Sequence, residues 1–144
     1  MKQKIKKASK FKFLKHTADI KFQAFGKTLE KAFANSALAM FEAEVDVKKI
    51  KPTKKVKIRC EAQNTEELLI EWLNKLLAES SINNMVFSKF KVKIEDNKLT
   101  GDAYGEKINQ EKQGIKTEVK AATYSELFII KEKDKYICQV VVDV

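Results

Sequence analysis

Residues 64–77, which read NTEELLIEWLNKLL, decide the fold class of this chain. The side chain of Asn64 can accept a hydrogen bond from the first turn of a helix, and Glu67 follows at the spacing of a capping box. Apolar residues then recur at steps of three and four, so that they share one helical face: Leu68, Leu69, Trp72, Leu73, Leu76 and Leu77. The pattern predicts an amphipathic helix that continues to about Glu79 or Ser81.

A second helix is predicted earlier in the chain. Thr28 can cap its N-terminus, and Glu30 in the first turn faces the positive end of the helix dipole. Its apolar face contains Leu29, Ala32, Phe33, Ala37 and Met40. Residues 20–25 before it alternate between apolar and polar side chains, which is typical of a half-buried strand, and Gly26 ends the alternation.

The remaining segments predict strands. Residues 56–62 and 90–94 alternate, and Asp96-Asn97 is a turn signal that joins the second of these to a return strand over residues 99–103. The apolar runs 127–130 and 137–142 predict central strands covered on both faces. The polar residues 107–116 predict a mobile loop.

This order of elements predicts an α+β fold. We expect a single domain over residues 11–144, with two helices packed on a mostly antiparallel mixed β-sheet. Residues 1–10 are basic and have few large apolar side chains, so they are predicted to form a flexible tail or a poorly paired first strand.

The composition of the chain indicates the cellular compartment of the protein and limits the metal and disulfide sites that it can form. The chain has 144 residues, and neither an 18-residue apolar stretch nor a leader-like apolar segment is found, so a cytoplasmic protein without a membrane span is expected. Cys60 and Cys138 form no CxxC pair, and His16 is the only histidine, which argues against a zinc site of Cys and His. Two buried free thiols are expected.

A formal net charge of +9 invites a nucleic-acid function. Arg59 is the only arginine, however, although arginine is preferred for bidentate contacts with phosphates and guanines. We interpret the lysines of residues 89–93 as a solvated face that steers an acidic partner. A basic RNA-binding or chaperone-like module that acts on tRNA or protein is the alternative function.

The sequence contains few features that are typical of an enzyme active site. Gly101 and Gly105 lack the spacing of a phosphate-binding loop, and no serine lies in a nucleophile elbow. A protein that is not an enzyme is therefore expected.

Two carboxylates are notable for their positions. Asp19 precedes the apolar strand that begins at Ile20, and Asp143 follows the apolar run that ends at Val142. Such residues often just meet solvent or accept a backbone N–H. Asp143, however, is next to the α-carboxylate of Val144. If Asp19 lay beside them, like charges about 4 Å apart would repel by roughly 4 kcal/mol, so that a cation or a proton would be needed. Oxygen ligands suit Ca²⁺ or Mg²⁺.

The chain resembles the archease family through a series of ordered motifs. The segment His16-Thr17-Ala18-Asp19 resembles the family signature near the N-terminus, and Val142-Asp143-Val144 resembles its hydrophobic-acidic-hydrophobic ending. Between them, matches occur in the family's order at residues 25–30, 32–33, 37–41, 67–69, 72–73, 87–90, 105–106, 116–121 and 123–124. The matches cover residues 11–144.

The resemblance implies a function and a site. Archeases assist an RtcB-type RNA ligase that seals tRNA halves, by promoting guanylylation of the ligase's active-site histidine and multiple turnover. The family binds calcium, and the positions that match its ligands are Asp19, Asp143 and Val144. His16 is expected to be a structural hydrogen-bonding group or to support a metal ligand. The implied partners are the ligase and, through it, tRNA.

Three residues depart from the family pattern. Lys15 stands where the family has an acidic residue, and its charge would oppose metal binding. Gln113 and Ser125 stand where the family has histidines.

Overall fold

The computed structural model describes residues 9–16 and 18–144. This part of the chain contains seven strands: β1 (Phe11–Leu14), β2 (Ile20–Gly26), β3 (Lys54–Glu61), β4 (Met85–Glu95), β5 (Lys98–Lys107), β6 (Ala121–Glu132) and β7 (Lys135–Asp143). Its two α-helices are α1 (Leu29–Glu44), between β2 and β3, and α2 (Thr65–Asn83), between β3 and β4. A short 3₁₀ turn, Val47–Lys49, follows α1. The predicted tail lies outside the described residues except for residues 9 and 10.

The predicted α+β class with two helices is confirmed. The strands form two sheets: a first sheet in the order β1-β2-β7-β6 and a second sheet in the order β3-β5-β4. All the strand pairs are antiparallel. Helix α1 packs against β2 and β4, and α2 packs against β6 and β3, so that each helix contacts both sheets.

Helix α2 forms as the sequence predicts and extends two residues beyond Ser81. Its N-cap side chain, Asn64, accepts a hydrogen bond from the backbone N–H of Glu67 at 2.8 Å. Trp72 lies fully buried on the apolar face, and its indole N–H donates to the carbonyl of Phe33 in α1 at 3.0 Å. A Cβ atom on Gly101 of β5 would lie 2.6 Å from the Trp72 ring, so only glycine fits there. Trp72 thereby joins α1 and α2 to the second sheet.

One strand prediction is confirmed and another is wrong. Strand β7 is central in the first sheet, and residues 137–142 are all buried. Residues 127–130 were expected to be covered on both faces, but they belong to β6, which is an edge strand, and Ile130 is 42% exposed. An irregularity between Thr123 and Phe128 shifts the pairing of β6 with β7, and an apolar run does not reveal such a bulge.

The two cysteines are free, as predicted. Cys138 is buried in β7, whereas Cys60 is only half-buried in β3, on the other sheet. Burial raises the pKa of the Cys138 thiol to about 12 and that of Cys60 to about 11. Both thiols are therefore protonated and poorly nucleophilic at neutral pH.

Across residues 9–16 and 18–144, neither α1 nor α2 has the length and apolar character needed to cross a membrane.

The segment between β5 and β6 contains the predicted loop and is anchored at both ends. Gln113 is buried, donates to the carbonyl of Lys107 at 2.9 Å and accepts from the N–H of Asn109 at 2.6 Å. Further along, the carbonyl of Glu44 at the end of α1 accepts from the N–H of Lys116 at 2.7 Å. Buried or half-buried polar groups thus close this loop, while its mobility stays a prediction.

Glu44 is the titratable group in this anchor. Its carboxylate accepts a hydrogen bond from the N–H of Val119 at 2.9 Å, in a partly buried position. Burial raises the pKa of Glu44 from 4.5 to about 7, the hydrogen bond from Val119 opposes the rise, and the charge of Glu118 adds to it. Folding therefore favours the protonated form of Glu44.

We predict that Glu44→Gln removes a pH dependence of stability. Because the folded pKa is raised, the stabilising contribution of Glu44 is full below pH 4.5 and is lost as the pH rises through about 7. The parent protein should lose roughly 2–3 kcal/mol of unfolding free energy from this group across that window, and Glu44→Gln should not. Urea unfolding at a series of pH values measures the difference. The exposed Glu111→Gln is the control, and a profile for Glu44→Gln that follows the parent would contradict the prediction.

Candidate functional site

The pairing of β2 with β7 determines where the predicted metal ligands lie. Ile20 is paired with Val142, and the register continues to Gly26, which is paired with Tyr136. Asp19 and Asp143 each lie one residue beyond the Ile20–Val142 pair. The two aspartates therefore lie at the same end of adjacent antiparallel strands, in the middle of the first sheet.

The candidate ligands are accessible from solvent. The Asp19 side chain is 34% exposed, and both Asp143 and Val144 are exposed. Strand β6 supports this end of the sheet, because Ala121 is paired with Asp143 and the N–H of Lys120 donates to the Asp143 carbonyl at 2.8 Å.

The donor set fits a hard cation. Within the described ranges, no three side chains of His, Cys, Asp or Glu form a cluster that could hold a metal ion. The predicted set contains only two acidic side chains, those of Asp19 and Asp143, together with Val144. Because every donor is an oxygen and the site is open to water, the set suits Ca²⁺ or Mg²⁺.

His16 lies between Asp19 and β6. Its Nε2 atom is 2.9 Å from Oε2 of Glu126, and its Nδ1 atom is 3.8 Å from Oδ2 of Asp19. The Nδ1 atom is buried and has no hydrogen-bond partner within residues 9–16 and 18–144. The ring is thus held by one carboxylate and directed towards another, which orients it beside a candidate metal ligand.

Glu126 is a site residue that sequence reasoning missed. It lies in the irregular part of β6 with a left-handed φ of 51°, and its carbonyl accepts a hydrogen bond from Gln139 of β7 at 2.8 Å. Its carboxylate also contacts Nζ of Lys21 in β2 at 3.1 Å. Hydrogen bonds from His16 and Lys21 lower the pKa of Glu126. The only signal in the sequence was a charged residue directly before an apolar run.

A shallow cavity of about 490 Å³ opens beside this end of the sheet. Its lining includes His16, Asp19 and the exposed Lys15, together with Glu42 of α1 and Lys116 of the β5–β6 loop. Lys116 is paired with Glu42, so its charge is largely balanced. Lys15 makes no ion pair within the described part of the chain. Its positive charge is therefore available to oppose a cation.

The other two departures from the family pattern are Gln113 and Ser125, which lie in different parts of the fold. Gln113 is buried inside the β5–β6 loop, where its amide groups hold the loop closed. Ser125 is exposed in the irregular part of β6, directly before Glu126. Neither residue is among those that line the cavity beside Asp19.

Comparison with known proteins gives a consistent result. The model of the archease protein family (MTH1598/TM1083) matches residues 11–144. The archease of Methanosarcina barkeri is 42% identical over 139 residues, which are 93% of this chain and 95% of that protein. The archease of Sulfolobus acidocaldarius is 43% identical over 138 residues, which are 94% of this chain and 99% of that protein.

Solved structures share the fold. The solution structure of protein 1598 of Methanobacterium thermoautotrophicum superposes with a TM-score of 0.82 at 36% identity, covering 94% of this chain and 99% of that one. The crystal structure of a Thermotoga maritima archease, described as a possible chaperone, superposes with a TM-score of 0.63 over 99% of both chains. Its 24% identity supports the fold alone.

We predict that Glu126→Gln makes the protein less stable at neutral pH but not in acid. A lowered folded pKa means that ionised Glu126 stabilises the fold above pH 4.5, and that this contribution is lost as the pH falls through the lowered pKa. The difference in unfolding temperature between the parent and Glu126→Gln should be small at neutral pH and should shrink towards zero in acid. Glu132→Gln, at an exposed position of the same strand, is the matched control. A difference that persists unchanged in acid would contradict this role.

Proposed function

The chain belongs to the archease family, and on this premise we propose that it is a non-catalytic protein cofactor of an RtcB-type RNA ligase. In this role it promotes guanylylation of the ligase's active-site histidine and so allows multiple turnover in the sealing of tRNA halves. The observation that carries the proposal is the β2–β7 register, because it brings Asp19 and Asp143 to one end of one sheet. In this role the protein would work in the cytoplasm.

A divalent cation, most simply Ca²⁺, would be held by Asp19, Asp143 and Val144. When bound, the cation would neutralise the repulsion between these carboxylates and so favour their close approach. Asp19 ends the connection between β1 and β2, and Asp143 ends β7. Shared ligation would therefore fix that connection against the central strand of the sheet.

The residues around the candidate ligands support a site that orders a surface. His16 and Glu126 hold the connection from the side of β6, through a contact of 2.9 Å. A cation bound by Asp19 and Asp143 would hold the same connection against the end of β7. The result is a rigid end of the first sheet, and this end is the surface that we propose meets the ligase.

Several observations favour a cofactor over an enzyme. His16, the only histidine, is engaged by Glu126, and the Cys60 and Cys138 thiols are protonated at neutral pH. Neither arrangement is that of a nucleophile with an activating base. The partner ligase would then carry out the chemistry of ligation.

We predict that Asp19→Asn and Asp143→Asn each weaken calcium binding by about tenfold or more, because each removes one charged ligand. A chain that ends at Val142 should lose calcium binding altogether. Calorimetric titration with calcium measures the affinities. In multiple-turnover ligation with the partner ligase, the same variants should stimulate less than the parent.

The matched control is Asp134→Asn, which changes an exposed aspartate in the hairpin at the opposite end of the same sheet. It should bind calcium and stimulate ligation as the parent does. If Asp19→Asn and Asp143→Asn bind calcium as the parent does, the metal site is wrong. If they lose calcium but still stimulate fully, the link between metal and ligase is wrong.

Lys15 gives a test in the opposite direction. Its positive charge lines the cavity beside Asp19 and lowers the local negative potential. We predict that Lys15→Gln tightens calcium binding by roughly twofold to fivefold, with a larger effect at low ionic strength. Lys135→Gln, in the hairpin at the other end of the sheet, should have no such effect. A calcium affinity that does not respond to Lys15→Gln would contradict a site beside Asp19.

A further inference from the structure

The solvent face of the second sheet carries an ordered array of cations. In the register of β3, β5 and β4, Lys55, Tyr104 and Lys89 lie side by side in one row across the sheet. The next two rows are Lys57, Asp102 and Lys91, then Arg59, Thr100 and Lys93. We call these nine residues the lysine face. It contains the only arginine of the chain.

The lysine face is distinct from the core and from the candidate metal site. Successive residues of a strand point to opposite faces, and the intervening residues Val56, Ile58, Phe90 and Val92 pack on the helices. All six lysine and arginine residues of the face are exposed. Asp19 and Asp143, in contrast, lie at one end of the first sheet.

The charges of this face are not balanced within it. Six cations in two outer columns face one carboxylate, Asp102, in the central column. The contact between Asp102 and Lys57 is long, at 4.0 Å. The following row, Glu61, Lys98 and Glu95, carries two carboxylates and so bounds the basic area. Such clustered like charges repel one another and favour a polyanionic partner.

The central column adds groups that a simple charge patch would lack. The Tyr104 ring is half-buried, with the ammonium of Lys89 5.4 Å from its centroid. One oxygen of Asp102, Oδ1, is buried and accepts no hydrogen bond within residues 9–16 and 18–144. The Asp102 side chain as a whole is 25% exposed. The face therefore combines an aromatic ring, a partly exposed carboxylate and a hydroxyl from Thr100 between two columns of cations.

We propose that the lysine face binds single-stranded RNA. Side chains on the same side of a strand recur about every 7 Å, so the cations of each outer column can follow successive phosphates of an extended strand. Unpaired bases can stack on the Tyr104 ring, as they do on aromatic side chains of other single-strand binding proteins. The Asp102 side chain is partly exposed, and its second carboxylate oxygen can accept a hydrogen bond from a ribose 2′-hydroxyl, which DNA lacks.

An acidic protein surface fits this face less well. Asp102 would repel a carboxylate of such a partner at the centre of the contact, whereas an RNA strand can place its phosphates along an outer column and its uncharged ribose and bases at the centre. The Tyr104 ring, which lies between the cations, can stack with a base but offers no favourable contact to a carboxylate. RNA accounts for both the outer columns and the central column.

The test is fluorescence anisotropy of a labelled oligouridylate RNA titrated with the full chain, without ligase, at several salt concentrations. Lys91→Gln/Lys93→Gln should weaken binding about tenfold and reduce the steepness of the salt dependence by about 1.4 in log–log slope, the value for two lost phosphate contacts. Tyr104→Leu should weaken binding about fivefold or more and leave the salt slope unchanged. If Tyr104 acted only in folding, its substitution would not lower the RNA affinity while leaving the salt dependence unchanged.

The matched control is Lys27→Gln/Lys31→Gln, which removes the same charge from the exposed start of α1, where four lysines surround another cavity. It should leave RNA affinity within about twofold. Urea unfolding of each variant verifies that it folds. DNA of the same length should bind more weakly than RNA.

Three outcomes would overturn the proposal. One is a control variant that loses as much RNA affinity as Lys91→Gln/Lys93→Gln, which would mean general charge attraction. Another is equal affinity for DNA. The third is that the parent protein does not bind RNA. If Lys91→Gln/Lys93→Gln then also loses ligase stimulation, the partner of this face is an acidic protein surface. Because binding is measured without ligase or calcium, failure here leaves the ligase proposal intact.

Discussion

The antiparallel pairing of β2 with β7 is the constraint on which the rest of the structure depends. It joins residues 20–26 to residues 136–142, which are far apart in the sequence, at the centre of the first sheet. Strands β1 and β6 add to its two sides, and α1 packs on its inner face. Closing so long a loop costs entropy, and the burial of apolar side chains along both strands offsets that cost. The acidic end of the sheet exists only because this pair forms.

Local patterns could be predicted from the sequence, and pairings between distant segments could not. Asn64 and Thr28 cap the two helices because capping depends on a few neighbouring residues. The contact between His16 and Glu126 depends instead on an irregularity in β6, whose position no periodicity indicates. The candidate metal ligands follow from the family resemblance, since nothing local in the sequence places Asp19 beside Asp143. The lysines of β4 were visible as a charged run, but their alignment with β3 required the sheet register.

The two helices lie between the sheet that carries the candidate metal site and the sheet that carries the lysine face. Both helices contact both sheets, so the acidic end of the first sheet and the basic face of the second rest on one shared core. Trp72 lies in that core and excludes any side chain at position 101 of β5. The charged residues at the acidic end of the first sheet and on the lysine face lie at the surface, where substitutions rarely disturb packing. The proposed metal binding and the proposed RNA binding should therefore be separable by mutation, whereas damage to the core would impair both.

The same packing that stabilises the first sheet also fixes the positions of its carboxylates. Phe22 of β2 is paired with Val140 of β7, and both are fully buried on the face that meets the helices. A slip of one residue would turn the lysine and glutamine side chains of β2 into that core. It would also move Asp19 away from its position beside Asp143. Burial of apolar residues thus excludes the alternative registers, and the arrangement of charged groups at this end of the sheet follows from the choice of register in the core.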